Sequence, residues 1–223
     1  MGTHGFARTS IFAVTQTGDC EAVFVLRPTP EIQAIDPFEF SLTVTYRLDG
    51  AKLITEARIQ NTGTEILPAS FGGHPGFNVP LGADGAFSDY YLEFGEACSP
   101  DLVELSPTCF LTGKRSAYPL EGGTVLPLHH GLFAIDGVFL THVAKSVTLR
   151  SKTGNRSVTL EYPQMPYLGI WHAPRTEAPY VCIEPWCSLP AYDQTVEDIS
   201  TRHDMFRIQP DASKDVSFAI RFE

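Results

Sequence analysis

Residues 38–62 read FEFSLTVTYRL, then DG, then AKLITEARIQNT, and this stretch decides the fold. From Phe38 to Leu48 apolar and polar side chains alternate, the two-residue period of a strand with one face buried. Asp49-Gly50 follows, a pair suited to the positive φ angles of a tight hairpin turn, and a second run returns from Ala51 to Thr62. The stretch predicts two long antiparallel strands.

Outward from this hairpin the same pattern recurs. Ser146–Lys152 and Arg156–Tyr162 read as a second hairpin through Thr153-Gly154-Asn155. Ser10–Gln16, Glu21–Arg27, Tyr167–His172, Tyr180–Ile183 and Val216–Phe222 read as further strands, and no segment sustains a 3.6-residue period over three turns. Gly 18 and Pro 17 among 223 residues supply the many turns such a chain needs. The expectation is an all-β fold, one large antiparallel sandwich domain spanning residues 1–223. Between the strands, Gly72–Asp89, Ser99–Gly123 and Pro185–Asp204 alternate less and are expected to be long functional loops.

Composition narrows the function classes. Apolar residues make up 43% and charged residues 19%, which argues against a disordered or charge-rich coiled-coil chain. Sixteen Lys and Arg against 26 Asp and Glu leave a net charge of −10, with no basic cluster to serve nucleic acid or an anionic membrane. No apolar run reaches the ~18 residues of a membrane span, and the N-terminus lacks the features of a secretion signal. Cys20, Cys98, Cys109, Cys182 and Cys187 form no CxxC and suggest neither disulfides nor a structural zinc site, so reduced thiols in a cytoplasm are expected. His129-His130 would face opposite sides of a strand, no His-x-His pair occurs, and there is neither a Gly-x-Ser-x-Gly elbow nor a Gly-x-x-x-x-Gly-Lys phosphate loop. No metal or cofactor is expected.

Two local patterns carry chemistry. In Phe71-Gly72-Gly73-His74-Pro75-Gly76-Phe77-Asn78, Pro75 biases His74 toward extended backbone and the glycines permit close approach, which holds an imidazole on a shaped segment. Such a histidine suits proton transfer near neutral pH; a surface turn whose histidine caps a carbonyl accounts for the pattern equally. In Tyr180-Val181-Cys182-Ile183-Glu184-Pro185-Trp186 a carboxylate closes an apolar run, and burial there would raise its pKa and improve it as a base. A Glu paired with an arginine at the sheet edge accounts for that pattern too. His4 and Arg8 also read as a frayed tail, Asp136 as a turn former beside Gly137, and Trp171 as a core aromatic.

Taken in order, His-Gly-Phe-Ala-Arg (4–8), Phe-Gly-Gly-His-Pro-Gly-Phe-Asn (71–78), Asp136 in Phe-Ala-Ile-Asp, Tyr-Leu-Gly-Ile-Trp (167–171) and Cys-Ile-Glu-Pro-Trp (182–186) resemble the aldose 1-epimerase, or galactose mutarotase-like, family. Within that family they look nearest to the bacterial epimerase-like branch related to hexose-6-phosphate mutarotases. The resemblance implies an antiparallel β-supersandwich, interconversion of the α and β anomers of an aldose or aldose 6-phosphate, and no cofactor. By it His74 is the general acid and Glu184 the general base, facing each other across one groove. His4 and Asp136 would contact the sugar, with Arg8 and Trp171 lining the same pocket and Arg8 available to a sugar phosphate.

Members of that family carry several strands before the His-Gly-Phe-Ala-Arg motif, which here begins at residue 4. The chain therefore reads as truncated at its N-terminus relative to the family, with exposed sheet edges. The rival expectation is a carbohydrate-binding or regulatory sandwich without turnover. Nothing in the sequence sets an oligomeric state.

Overall fold

The computed structural model describes residues 4–83 and 85–223; Met1 to Thr3 and Asp84 lie outside the described residues. Strand accounts for 45% of the chain and helix for 6%, and the strand ladders are antiparallel, as expected. The chain divides into two compact units, residues 1–70 with 198–217 and residues 71–197 with 218–223.

In the first unit β1 (Ala13–Thr17), β2 (Glu21–Leu26), β3 (Phe40–Asp49) and β4 (Lys52–Asn61) lie in that order. The long hairpin forms with Phe40 opposite Asn61 and Asp49 opposite Lys52. Its turn is Gly50-Ala51, one residue later than the Asp49-Gly50 expected. Gly50 alone takes a positive φ of 57°, and a left-handed first turn residue is the type II′ arrangement, which matches strand twist. Phe40, Leu42 and Val44 on β3 are buried on the same face as Ala57, Ile59 and Asn61 on β4, so the alternation read from the sequence is the burial pattern itself. β1 is an edge strand, exposed throughout. β5 (Leu67–Ala69) completes this part of the chain. Buried Asn61 acts as a clamp: its Nδ2 donates to the carbonyls of Glu65 and Ile208 at 2.7 and 2.8 Å, and its Oδ1 accepts from the Gly63 amide at 3.0 Å.

The second unit holds β6 (Gly76–Asn78), β7 (Tyr90–Phe94), β8 (Asp101–Leu105), β9 (Leu111–Ala117), β10 (Val125–Pro127), β11 (Val138–Thr141), β12 (Ser146–Ser151), β13 (Val158–Glu161), β14 (Tyr167–Trp171) and β15 (Tyr180–Trp186). The chain then returns to the first unit for β16 (Phe206–Ile208), paired with β5, and the start of β17 (Ser213–Phe222), whose last residues belong to the second unit. There β17, β13, β12, β7 and β10 lie side by side, and a six-stranded sheet runs β6-β15-β14-β11-β8-β9. Leu92, Val147, Leu149 and Leu160 from the first set and Leu168, Ile170, Val181 and Ile183 from the second are fully buried, each on one face of its sheet.

Ser99–Gly123, expected as a loop, contains β8 and β9. Six of the seven residues of β9 are exposed, so this edge strand carries no apolar alternation by which the sequence would betray it. β11 was hidden by the opposite cause: all four of its residues are buried. β15 runs on to Trp186 instead of stopping at Ile183. Pro185 fits inside it because its missing N–H lies on the side of residues 71–75, where its carbonyl accepts from the Gly73 amide at 2.9 Å.

Candidate active site

Side chains two apart on a strand share a face. On β15, Cys182, Glu184 and Trp186 share one, while Val181, Ile183 and Pro185 point to the other. β14 presents Tyr167, Gly169 and Trp171 on the same face, opposite Trp186, Glu184 and Cys182 respectively. The far side of β15 is covered by residues 71–78. Gly76 stands opposite Cys182 and Gly72 bridges to Trp186, with Ile183 N–H donating to Pro75 O at 3.0 Å between them. This register leaves His74 directly opposite Glu184. Their side chains meet with Nε2 3.3 Å from Oε1.

Gly169 makes room for this arrangement. A Cβ there would stand 2.9 Å from the Trp186 ring and 3.3 Å from the Glu184 Cβ. Without it, the carboxylate and the indole lie over β14. His74 is 40% exposed and Glu184 2%, so one partner reaches solvent and the other is embedded. Burial pushes the Glu184 carboxyl up to about 8; the nearby Asp136 charge adds to the rise, and the Trp186 side chain, donating a hydrogen bond to the carboxylate, opposes it. Burial, then the Glu184 charge, push the Cys182 thiol up to about 12.

Asp136 precedes β11 and accepts from Trp171 Nε1 at 2.9 Å. It also hydrogen-bonds the Cys109 thiol, whose pKa is raised by partial burial and by the Asp136 charge. Trp171 stands edge-on to the His74 ring, with centroids 5.9 Å apart, and lies 6.2 Å from Tyr180. Trp186 stacks on Phe139 at 5.2 Å, beside an apolar cluster that includes Leu105, Tyr167 and Leu189. The face thus presents an imidazole beside a buried carboxyl group, a second carboxylate and aromatic surface. His74, Cys182 and Glu184 also present nitrogen, sulfur and oxygen donors within 4.8 Å of one another.

The family model for aldose 1-epimerase matches residues 1–192. The chain belongs to the aldose 1-epimerase family. It is 31% identical over 189 residues to the plasmid and chromosomal LacX proteins of Lactococcus lactis subsp. lactis; the match covers 83% of this chain and 63% of LacX. The chain thus spans less than two thirds of the length of the curated relatives it matches. A galactose mutarotase-related enzyme from Lactobacillus acidophilus superposes with a TM-score of 0.93 at 26% identity, over 100% of this chain and 74% of that one. A galactose mutarotase-like protein from Lactobacillus casei superposes with a TM-score of 0.88 at 31% identity, over 100% and 76%. The antiparallel architecture of this epimerase-family chain is accordingly the galactose mutarotase-like fold.

Of the six site residues expected from the sequence, the second unit brings four together: His74, Glu184, Asp136 and Trp171. His74, in the segment that runs into β6, and Glu184 on β15 face each other with their side chains in contact. Among the described residues the ion-pair partner of Glu184 is His74, not an arginine at the sheet edge. His4 and Arg8 belong to the first unit; His4 has a φ of 67°, and Arg8 lies on a single 3-10 turn, Ala7–Thr9. Partial burial and the Arg8 charge lower the His4 pKa. Cys182 and Trp186 escaped the sequence reading as site neighbours. The signal was there, since each is two residues from Glu184 on a strand.

Proposed function

We propose that the protein is an aldose 1-epimerase in which Glu184 is the general base and His74 the general acid. The observation that carries this reading is the 3.3 Å separation of an imidazole and a buried carboxylate, His74 on the segment beside β15 and Glu184 on β15 itself. Ring opening moves protons at two oxygens bonded to the same carbon: the C1 hydroxyl loses one and the ring oxygen gains one. A side-by-side pair can reach both. Glu184 takes the hydroxyl proton as the C1 carbonyl forms, and His74 delivers its Nε2 proton to the ring oxygen as the C1–O bond breaks. Rotation about C1–C2 and reclosure, with the two roles reversed, give the other anomer.

The productive form has the proton on His74 and the charge on Glu184. Neutral imidazole beside neutral carboxyl holds the same number of protons, so a transfer across the contact resets the pair. Asp136 holds Trp171 by its indole N–H and its charge raises the basicity of Glu184; Trp171 offers a stacking surface. The substrate in this reading is an aldose or an aldose 6-phosphate.

Polarimetry or NMR exchange on freshly dissolved α-aldoses and their 6-phosphates tests the proposal. Accelerated anomer equilibration is expected, with Glu184→Gln slowing it by ~10²–10⁴-fold. Failure to accelerate any of these sugars overturns it, and tight sugar binding without exchange would assign a carbohydrate-binding sandwich instead.

A further inference from the structure

We propose that His74, Cys182 and Glu184 form a Zn²⁺ site whose occupation silences the acid/base pair. One donor atom from each lies within 4.8 Å of the other two. The placement is fixed by the sheet: Cys182 and Glu184 are buried two residues apart on β15, and His74 stands opposite Glu184. A tetrahedral ion with bonds of about 2.0–2.3 Å holds its donors ~3.3–3.6 Å apart. The His74–Glu184 pair already has 3.3 Å, so the thiol has at most about 1.5 Å to close.

Mixed nitrogen, sulfur and oxygen donors suit a borderline ion such as Zn²⁺ or Co²⁺; Mg²⁺ and Ca²⁺ favour all-oxygen sets. Three protein ligands leave a fourth position for water, and the exposed edge of His74 opens the set to solvent. The Trp186 side chain, bonded to the Glu184 carboxylate, supplies the outer hydrogen bond that orients a metal-binding carboxylate. As the ion binds, the Cys182 thiol releases its proton to solvent and a zinc–sulfur bond forms. The lone pairs with which Glu184 would take a proton and His74 would carry one are then held by the ion. That silencing rests on the epimerase reading; the binding itself does not.

The whole chain is titrated with CoCl₂ in thiol-free buffer, following the thiolate-to-cobalt charge-transfer absorption, and then with ZnCl₂. One equivalent of Co²⁺ is expected to raise the band and Zn²⁺ to bleach it. Cys182→Ser is expected to abolish the band and weaken Co²⁺ binding at least tenfold (a floor of about the size lost when metal-ligand support is removed). Because Cys182 takes no part in the proton transfers, the same variant keeps anomer exchange and loses its inhibition by ZnCl₂. Should that variant not fold, His74→Gln tests the same set through at least tenfold weaker Co²⁺ binding. No band in the wild type, a band or zinc inhibition that survives Cys182→Ser, or unchanged affinity in His74→Gln overturns the site. A band without any anomer exchange overturns the epimerase reading and leaves the metal site standing; exchange without a band does the reverse.

Discussion

Replacing Glu184 by Gln should flatten the pH dependence of stability, because the wild-type fold resists ionising this carboxyl. In the native state its pKa lies at about 8, against 4.5 for an unburied Glu. The folded state therefore binds more protons than the unfolded state between those limits, and stability falls as pH rises through that window. The full difference of about 3.5 units, from 4.5 to about 8, corresponds to about 5 kcal/mol at 1.36 kcal/mol per unit. The pI of 5.1 makes the acid end of the window awkward for solution work. Between pH 5.5 and pH 9 the expected change is about 3.4 kcal/mol, accumulated below pH 8. Urea unfolding of wild type and Glu184→Gln at both pH values gives the double difference, in which groups common to both proteins, such as buried Asp36, cancel. The variant should gain on the wild type by that amount at pH 9. Two curves that stay parallel to within about 1 kcal/mol would show that Glu184 ionises as readily in the fold as in water, and the electrostatic account of the site would fail.

The proposed pair works only while it holds one proton, so kcat/KM should fall as pH rises through about 8. Asp136→Asn removes a charge that raises the Glu184 pKa and should move this alkaline limb to lower pH, whereas Trp186→Phe removes a hydrogen bond that lowers it and should move the limb up; equal or reversed shifts in pH–rate profiles would contradict the assignment. Gly169→Ala places a methyl 2.9 Å from the Trp186 ring, and urea unfolding should register a loss of about 1–3 kcal/mol together with slower exchange. Asn61→Ala strips the partners from the buried Ile208 carbonyl and the Gly63 amide, a loss of about 3 kcal/mol by urea unfolding with the site face untouched.

The half-buried strands were legible because burial on one face writes itself as alternation: Phe40, Leu42 and Val44 announce β3. Where a strand is buried on both faces, as Val138–Thr141, or on neither, as most of Leu111–Ala117, alternation vanishes and so does the prediction. The turn slipped by one residue because Asp-Gly composition identifies a turn without saying which position the glycine takes, and here it takes the first. His74 and Glu184 stood out through their unusual neighbours. Local pattern alone could not register their contact, which pairs segments 110 positions apart in the chain; the family resemblance is what set the two residues face to face. Cys182 passed as a buried apolar residue, the commonest role of a lone cysteine in a strand.

Trp171 donates to Asp136, and Trp186 to Glu184. The chain has 2 tryptophans in all. Its entire indole emission therefore originates beside the two site carboxylates, and the protein carries a built-in optical reporter with no background from elsewhere in the fold. Deprotonation of Glu184, and under the two proposals arrival of a sugar over the aromatic face and capture of a metal ion by Cys182, would each alter the surroundings of one indole or both. A bench fluorimeter and unlabelled protein suffice to follow all three events, and single Trp→Phe substitutions would assign each signal to its carboxylate.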